Sequence, residues 1–145
     1  MTTRLDVVSV TRGWIGTPFH PSARLKGVGV DCAGLLIGTM RELSLCDPDW
    51  DVAPYLQIPD GVSMLAQCDQ YLNRITRKEM QPGDVICIVT DEHPQHLGIL
   101  ADYRHGGLSI IHASNNPSTY RVIETRLMFT RVCRFVAAYS FRGIE

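Results

Sequence analysis

The spacing of apolar residues changes along this chain, from helical steps in the first half to strand-like alternation in the second. Leu5, Val7, Val8, Val10 and Trp14 predict a short amphipathic helix, although valines are weak helix formers. The next stretch, GTPFHPSARLKGVG, holds two prolines and three glycines and is expected to be a loop. Leu35, Leu36, Met40 and Leu43 recur at helical intervals and predict a second helix from about Asp31 to Leu45. CDPDWDVAPYLQIPDG, with three prolines, reads as another loop. Met64, Leu65, Cys68, Tyr71, Leu72 and Ile75 form an apolar stripe that predicts a third helix from Val62 to Ile75.

Beyond the turn KEMQPGD the period shortens to two. VICIVT, HLGILADY, LSIIHAS, YRVIETRL and CRFVAAYSF are five predicted strands, separated by short polar or glycine-containing turns. Helices followed by an antiparallel run of strands predict an α+β fold, here as one domain covering residues 1–145.

Composition narrows the function classes. With 145 residues, 45% hydrophobic and 20% charged, the chain is long enough to bury a core and has the balance of a soluble globular protein. Fourteen Lys and Arg against 15 Asp and Glu leave a net charge of -1, so no strong field is available to hold nucleic acid or an anionic membrane. No stretch approaches the ~20 apolar residues of a membrane span, so membrane insertion is not expected. The N-terminal MTTRLDVVSVTRGW lacks the apolar core of a signal peptide, so the protein is expected to be made in the cytoplasm without an export signal of its own. Five cysteines with no CxxC pair argue against a disulfide framework or a cysteine-rich zinc site.

One cysteine stands apart. In GVGVDCAGLLIGTM, Cys32 lies where a glycine-containing loop is predicted to become a helix. Unpaired backbone N–H groups and the positive end of the helix dipole meet there. Both favour thiolate, so Cys32 is expected to have a lower pKa than the other four cysteines. The same amides offer an oxyanion site.

A nucleophilic cysteine needs a base. His96 opens one predicted strand and His112 lies near the end of the next, with DYRHGG between them. In an antiparallel pair those positions are neighbours, which suits His96 as base and His112 as the residue orienting its ring. His93 and His105 fall in predicted loops and are read as ordinary surface histidines. Asp31 has two readings: a helix cap, or a carboxylate beside the reaction centre that holds a cationic group of the substrate. Its charge opposes thiolate formation at Cys32. His20 lies in the loop leading towards Cys32 and is a candidate cleft residue. A zinc site built from Cys32, His96 and His112 is the competing chemistry, without the spacing of a zinc motif.

The blocks WIGTPF, GVDCAGLL, QPGDVICI, HLGILAD and IIHAS, in this order and spacing, resemble the NlpC-type cell-wall cysteine peptidases, which are papain-like. The stretch WIGTPFHPSARLKGVGVDC is most similar to the phage-encoded, tail-associated branch of that family. The resemblance implies a nucleophile helix packed on an antiparallel sheet, with Cys32 as nucleophile, His96 as general base and His112 as third residue. It implies hydrolysis of a peptidoglycan stem-peptide amide, typically between D-glutamate and the diamino acid, and phage tail-tip or hub proteins as partners. No metal or organic cofactor is implied. Asp31 matches the residue beside the cysteine in the substrate cleft. Two positions depart from the common pattern: Ala33 where many members carry Ser, and Phe19 where many carry Tyr. Both touch the expected substrate contacts rather than the triad. A tail-tip structural protein with a silent site, and an amidase or acyltransferase on another substrate, are the alternative readings.

Overall fold

A computed structural model of the chain describes residues 1–52, 63–91 and 95–145. Helix α1 spans Arg4–Arg12, with Thr3 and Asp6 forming a reciprocal capping box. A two-stranded hairpin follows, β1 (Arg24–Leu25) with β2 (Gly29–Val30). Then come helices α2 (Cys32–Glu42) and α3 (Ser63–Tyr71). The strands β3 (Asn73–Ile75), β4 (Val85–Thr90), β5 (His96–Asp102), β6 (Leu108–Ala113), β7 (Val122–Arg126) and β8 (Cys133–Ser140) form one antiparallel sheet in the order β3-β8-β4-β5-β6-β7. The fold is α+β and papain-like, as the sequence predicts.

Alternation along the strands builds two apolar layers. On one face, Val85, Cys87, Leu97, Ile99 and Tyr139 pack with Val7 of α1, Leu36 of α2 and Cys68 of α3. Beside them Val8, Trp14 and Leu35 pack on Ala101, Ile111 and Val122. On the other face, Ile86, Ile88, Leu100 and Ile110 are covered by Met80, Leu127, Phe129 and Phe135. Helix α2 is the innermost helix, with Gly34 through Thr39 all buried. Gly38 is required there because the Trp14 ring lies where a Cβ would stand.

Three expectations are corrected. The loop expected over residues 16–29 instead carries the β1–β2 hairpin, which runs on to Val30. The helix expected to reach Ile75 ends at Tyr71, and Asn73–Ile75 form a strand on β8 with Ile75 opposite Ala138. The stripe that suggested a longer helix is real, but pairing with β8 satisfies the backbone of these residues and overrides it. Helix α2 stops at Glu42, where Leu43 leaves helical geometry. Most of the loop WDVAPYLQIP lies outside the described residues.

The turn before β4 shows how QPGD works. Gly83 has φ +93°, and the Asp84 N–H donates to the Gln81 carbonyl at 3.1 Å, a type II turn with Pro and Gly in their preferred places. Asp84 is fully buried and ion-paired with Arg4, which ties α1 to the start of β4.

Candidate active site

Asp31 has extended backbone, and its carboxylate accepts the Gly34 N–H at 2.7 Å, so it caps α2. The same carboxylate accepts the Ser22 N–H at 2.8 Å and Arg24 Nη1 at 2.9 Å. Arg24 reaches it from β1 and also binds Asp51, which Arg41 holds at 3.2 Å from the far side. Gly34 permits this closeness: a Cβ there would collide with the Ala23 carbonyl oxygen and approach Arg24 Nη1 to 2.9 Å.

Cys32 therefore begins α2 as expected, but its thiol is not acidified. Burial pushes it up to about 12, and the charge of Asp31 and the neighbouring Cys87 add to the shift. The nearby backbone N–H groups of Leu97 and Ala33 pull the other way without reversing it. The expectation that Cys32 is the most acidic cysteine is thus corrected. Cys87, for comparison, is raised to about 11. Desolvation and an adjacent carboxylate outweigh the helix N-terminus.

The histidines meet as the strand register predicts. His96, 1% exposed, places Nε2 2.7 Å from Nδ1 of the half-buried His112. The rings stand edge to face, with centroids 4.8 Å apart. Ile99 pairs with Ile111, so continuing by one step sets His112 beside Gly98. A Cβ on Gly98 would run into the Ile110 side chain, which packs next to His112. Opposite His96, the register of β4 against β8 slips between Cys87 and Ile88, a bulge at the residue paired with His96. Beside the histidine pair lies a cavity of about 320 Å³, lined by Ile88, Thr90, Ile110, Ser114, Asn116 and Thr119 among others.

Cys32 reaches the first residues of β5 from the helical side, where its sulfur faces the Leu97 N–H, one residue along from His96. Phe19 and His20 also lie near this end. Phe19 bridges to Val30, two residues before Cys32, and the His20 N–H donates to the Val30 carbonyl at 3.0 Å. Their side chains differ. The Phe19 ring packs with Trp14 and Val8 and lies 5.1 Å from the Tyr120 ring. The exposed His20 donates Nδ1–H to the Pro21 carbonyl. Ala33 is half-buried. His105 is exposed in the β5–β6 turn, and His93 lies outside the described residues. Among the described residues no group of three or more His, Cys, Asp or Glu is arranged to hold a metal, and no helix is long and apolar enough to cross a membrane.

Arg24 is the residue that sequence reasoning missed. It sits in a glycine- and proline-rich stretch, and nothing local says that it folds back on an aspartate seven positions later.

The model of the NlpC/P60 family matches residues 16–137, which include both histidines and Cys32. This chain belongs to the NlpC/P60 family. Its backbone is similar to the NlpC/p60 domain of the peptidoglycan hydrolase SagA, with TM-score 0.63 and 18% identity over 97% of this chain and 100% of that one. It is also similar to NlpC2 from Trichomonas vaginalis, with TM-score 0.65 and 20% identity over 97% of this chain and 47% of that one. An N-acetylmuramoyl-L-alanine amidase from Bacteroides uniformis aligns with TM-score 0.60 and 13% identity, over 97% of this chain and 99% of the amidase. No curated protein sequence matches the chain significantly.

Proposed function

We propose that this NlpC/P60 chain is a cysteine peptidase that hydrolyses an amide of the peptidoglycan stem peptide, between D-glutamate and the diamino acid. The observation that supports this reading is a cysteine at the start of α2 packed towards the first residues of β5, where a histidine pair stands. The Cys32 sulfur faces the Leu97 N–H, and the preceding residue, His96, has its ring held by His112.

That hydrogen bond sets the chemistry. With Nε2–H of His96 donating to Nδ1 of His112, the other nitrogen of His96 keeps its lone pair and serves as base. His96 takes the thiol proton as Cys32 attacks the amide carbonyl. The tetrahedral oxyanion is stabilised by backbone N–H groups near the start of α2. His96 returns the proton to the leaving amine, and water then releases the acyl group from Cys32. A thiol raised to about 12 is protonated at neutral pH, so transfer to His96 accompanies attack rather than preceding it.

The resemblance of WIGTPFHPSARLKGVGVDC to the phage-encoded branch supports a tail-associated protein, docked on tail-tip or hub proteins and acting at the bacterial wall during genome entry. A second reading, a structural tail protein with a silent site, draws on the raised thiol of the half-buried Cys32. The test is digestion of purified sacculi by wild type and Cys32→Ala, with soluble fragments read by mass spectrometry. Fragments cut between D-glutamate and the diamino acid, present only with Cys32, are expected. Release of intact stem peptides would instead indicate an amidase. Absence of fragments from a folded protein would favour the silent site.

A further inference from the structure

We infer that the cavity beside His96 and His112 receives the amine half of the cut amide, and that its carboxylate-free lining makes Thr125 a specificity-determining residue, admitting an amine half whose far end bears a carboxylate more readily than one ending in a lone ammonium. The inference rests on the peptidase reading above for its substrate. In that chemistry the ring that takes the thiol proton gives it to the leaving nitrogen, so the amine half lies against His96 while the acyl half stays on Cys32. Cys32 comes to β5 from the helical side, beside Cys87 and Leu97. The cavity lies over the other face of the sheet, at Ile88 and Ile110. His96 is the first residue of β5 and lines the cavity, so the two faces meet at that end of the strand.

Size and lining narrow the occupant. The volume of about 320 Å³ is that of roughly ten water molecules at ~30 Å³ each, enough for a diamino acid and too little for a glycan strand. One wall is aliphatic, formed by Ile110, Ile123 and Met128, and suits a methylene stem. The other carries the hydroxyls of Ser114, Thr119 and Thr125. Ser114 and Thr119 bond each other at 2.8 Å, so that wall is set before a ligand arrives. Thr125 stands on β7 opposite Ile110 and is exposed. Among the described residues of the lining there is no Asp or Glu. Its arginine, Arg126, whose guanidinium lies 5.9 Å from the centre of the Tyr103 ring, adds positive charge nearby. A lone ammonium at the far end of the amine half would be desolvated here without a counter-ion, whereas a carboxylate accepts hydroxyl hydrogens.

Cys133 also lines the cavity and is half-buried, which gives a readout that needs no turnover. Wild-type protein is alkylated with iodoacetamide, and labelling at Cys133 is followed by mass spectrometry, with the half-buried Cys46 as the control outside the cavity. The probes are meso-diaminopimelate and L-lysine, each with its α-carboxyl blocked as a methylamide, and L-alanyl-γ-D-glutamate as the acyl half. At ten times its half-saturating concentration the diaminopimelate amide should slow labelling of Cys133 about tenfold and leave Cys46 unchanged. The lysine amide should need about ten times the concentration for the same protection, as an unpaired charge predicts. The acyl half should not protect Cys133. Protection by none of the three, by all three equally or by the acyl half alone overturns the inference.

A second arm supplies the missing carboxylate. Thr125→Glu should reverse the order, so that the lysine amide protects at the lower concentration; if that variant does not fold, Met128→Glu on the exposed rim takes its place. An order unchanged in the folded variant overturns the specificity assigned to this wall. The sacculus digest described above separates the two readings. If Cys133 is protected as expected but wild type releases no fragments, the peptidase reading falls and the cavity stands as a site for the amine ligand. If fragments appear and Cys133 is not protected, the peptidase reading stands and this inference falls.

Discussion

Cys32 and His96 approach the same end of β5, yet the groups that hold them differ in kind. The nucleophile end is a polar lattice. Asp31 takes two backbone N–H groups and a guanidinium, and the chain extends through Asp51 to Arg41. The histidine end is built on the 2.7 Å bond between His96 and His112, mounted on apolar strands with Ile88, Leu100 and Ile110 around it. Each end needs a glycine, for different reasons. Gly34 makes room for a backbone carbonyl and Gly98 for the tip of an isoleucine. A charged lattice fixes where the sulfur stands and what charge it sees, whereas an apolar ladder fixes the direction of a ring.

Substitutions probe that contrast. The largest effect expected is at the base itself: His96→Ala should lower kcat/KM by about 10³-fold on wall fragments, with the fold intact by circular dichroism. Retained turnover would remove His96 from the chemistry. His112→Ala should cost about ten- to a hundredfold, because a ring that has lost its partner still visits the productive orientation. A loss equal to that of His96→Ala would mean that His112 acts directly rather than by orienting.

The glycines separate the two ends on stability. Gly34→Ala forces backbone against backbone and should cost about 2–3 kcal/mol in urea unfolding, whereas Gly98→Ala can be met by a rotation of Ile110 and should cost about 1 kcal/mol. The reverse order would show that the histidine ladder, not the charged lattice, is the rigid part.

The smallest effect at neutral pH concerns the thiols. Cys32 and Cys68 are raised to about 12 and Cys87 to about 11, all chiefly by burial. Between the unfolded value near 9 and these folded values the native state holds more protons than the unfolded chain. Stability should therefore be intact below about pH 9 and fall as pH rises towards 12. Cys68→Ala should flatten that alkaline limb in thermal melts taken from pH 8 to 11, and an equally steep limb would show that Cys68 does not ionise on unfolding.

How much of this was legible beforehand follows from what each residue depends on. The strands were readable because alternation along β4, β5 and β6 is imposed by burial of one face at a time, and the His96–His112 meeting followed from hairpin register. Strand β3 was not readable, because Leu72 and Ile75 continue the spacing of α3 and only the distant β8 gives them another partner. The position of Cys32 at the start of α2 was evident from the loop before it. Its pKa was not, because depth of burial belongs to the folded molecule. Arg24 was hidden for the same reason: a turn of unpredicted shape carries it to Asp31.

The strand order also constrains how the molecule comes into being. Strand β8 lies between β3 and β4, so residues 73–75 and 85–90 have no common neighbour until residues 133–140 arrive. A chain emerging from the ribosome can form α1, α2 and the β4–β7 meander first, but it leaves β4 with a bare edge and Cys87 half covered. Closure of that gap joins segments more than 40 positions apart, a slow step in chains dominated by non-local pairing. The last long strand thus acts as a latch: a nascent or truncated chain can carry Cys32, His96 and His112, with β5 and β6 already paired, and still lack the strand that joins β3 to β4.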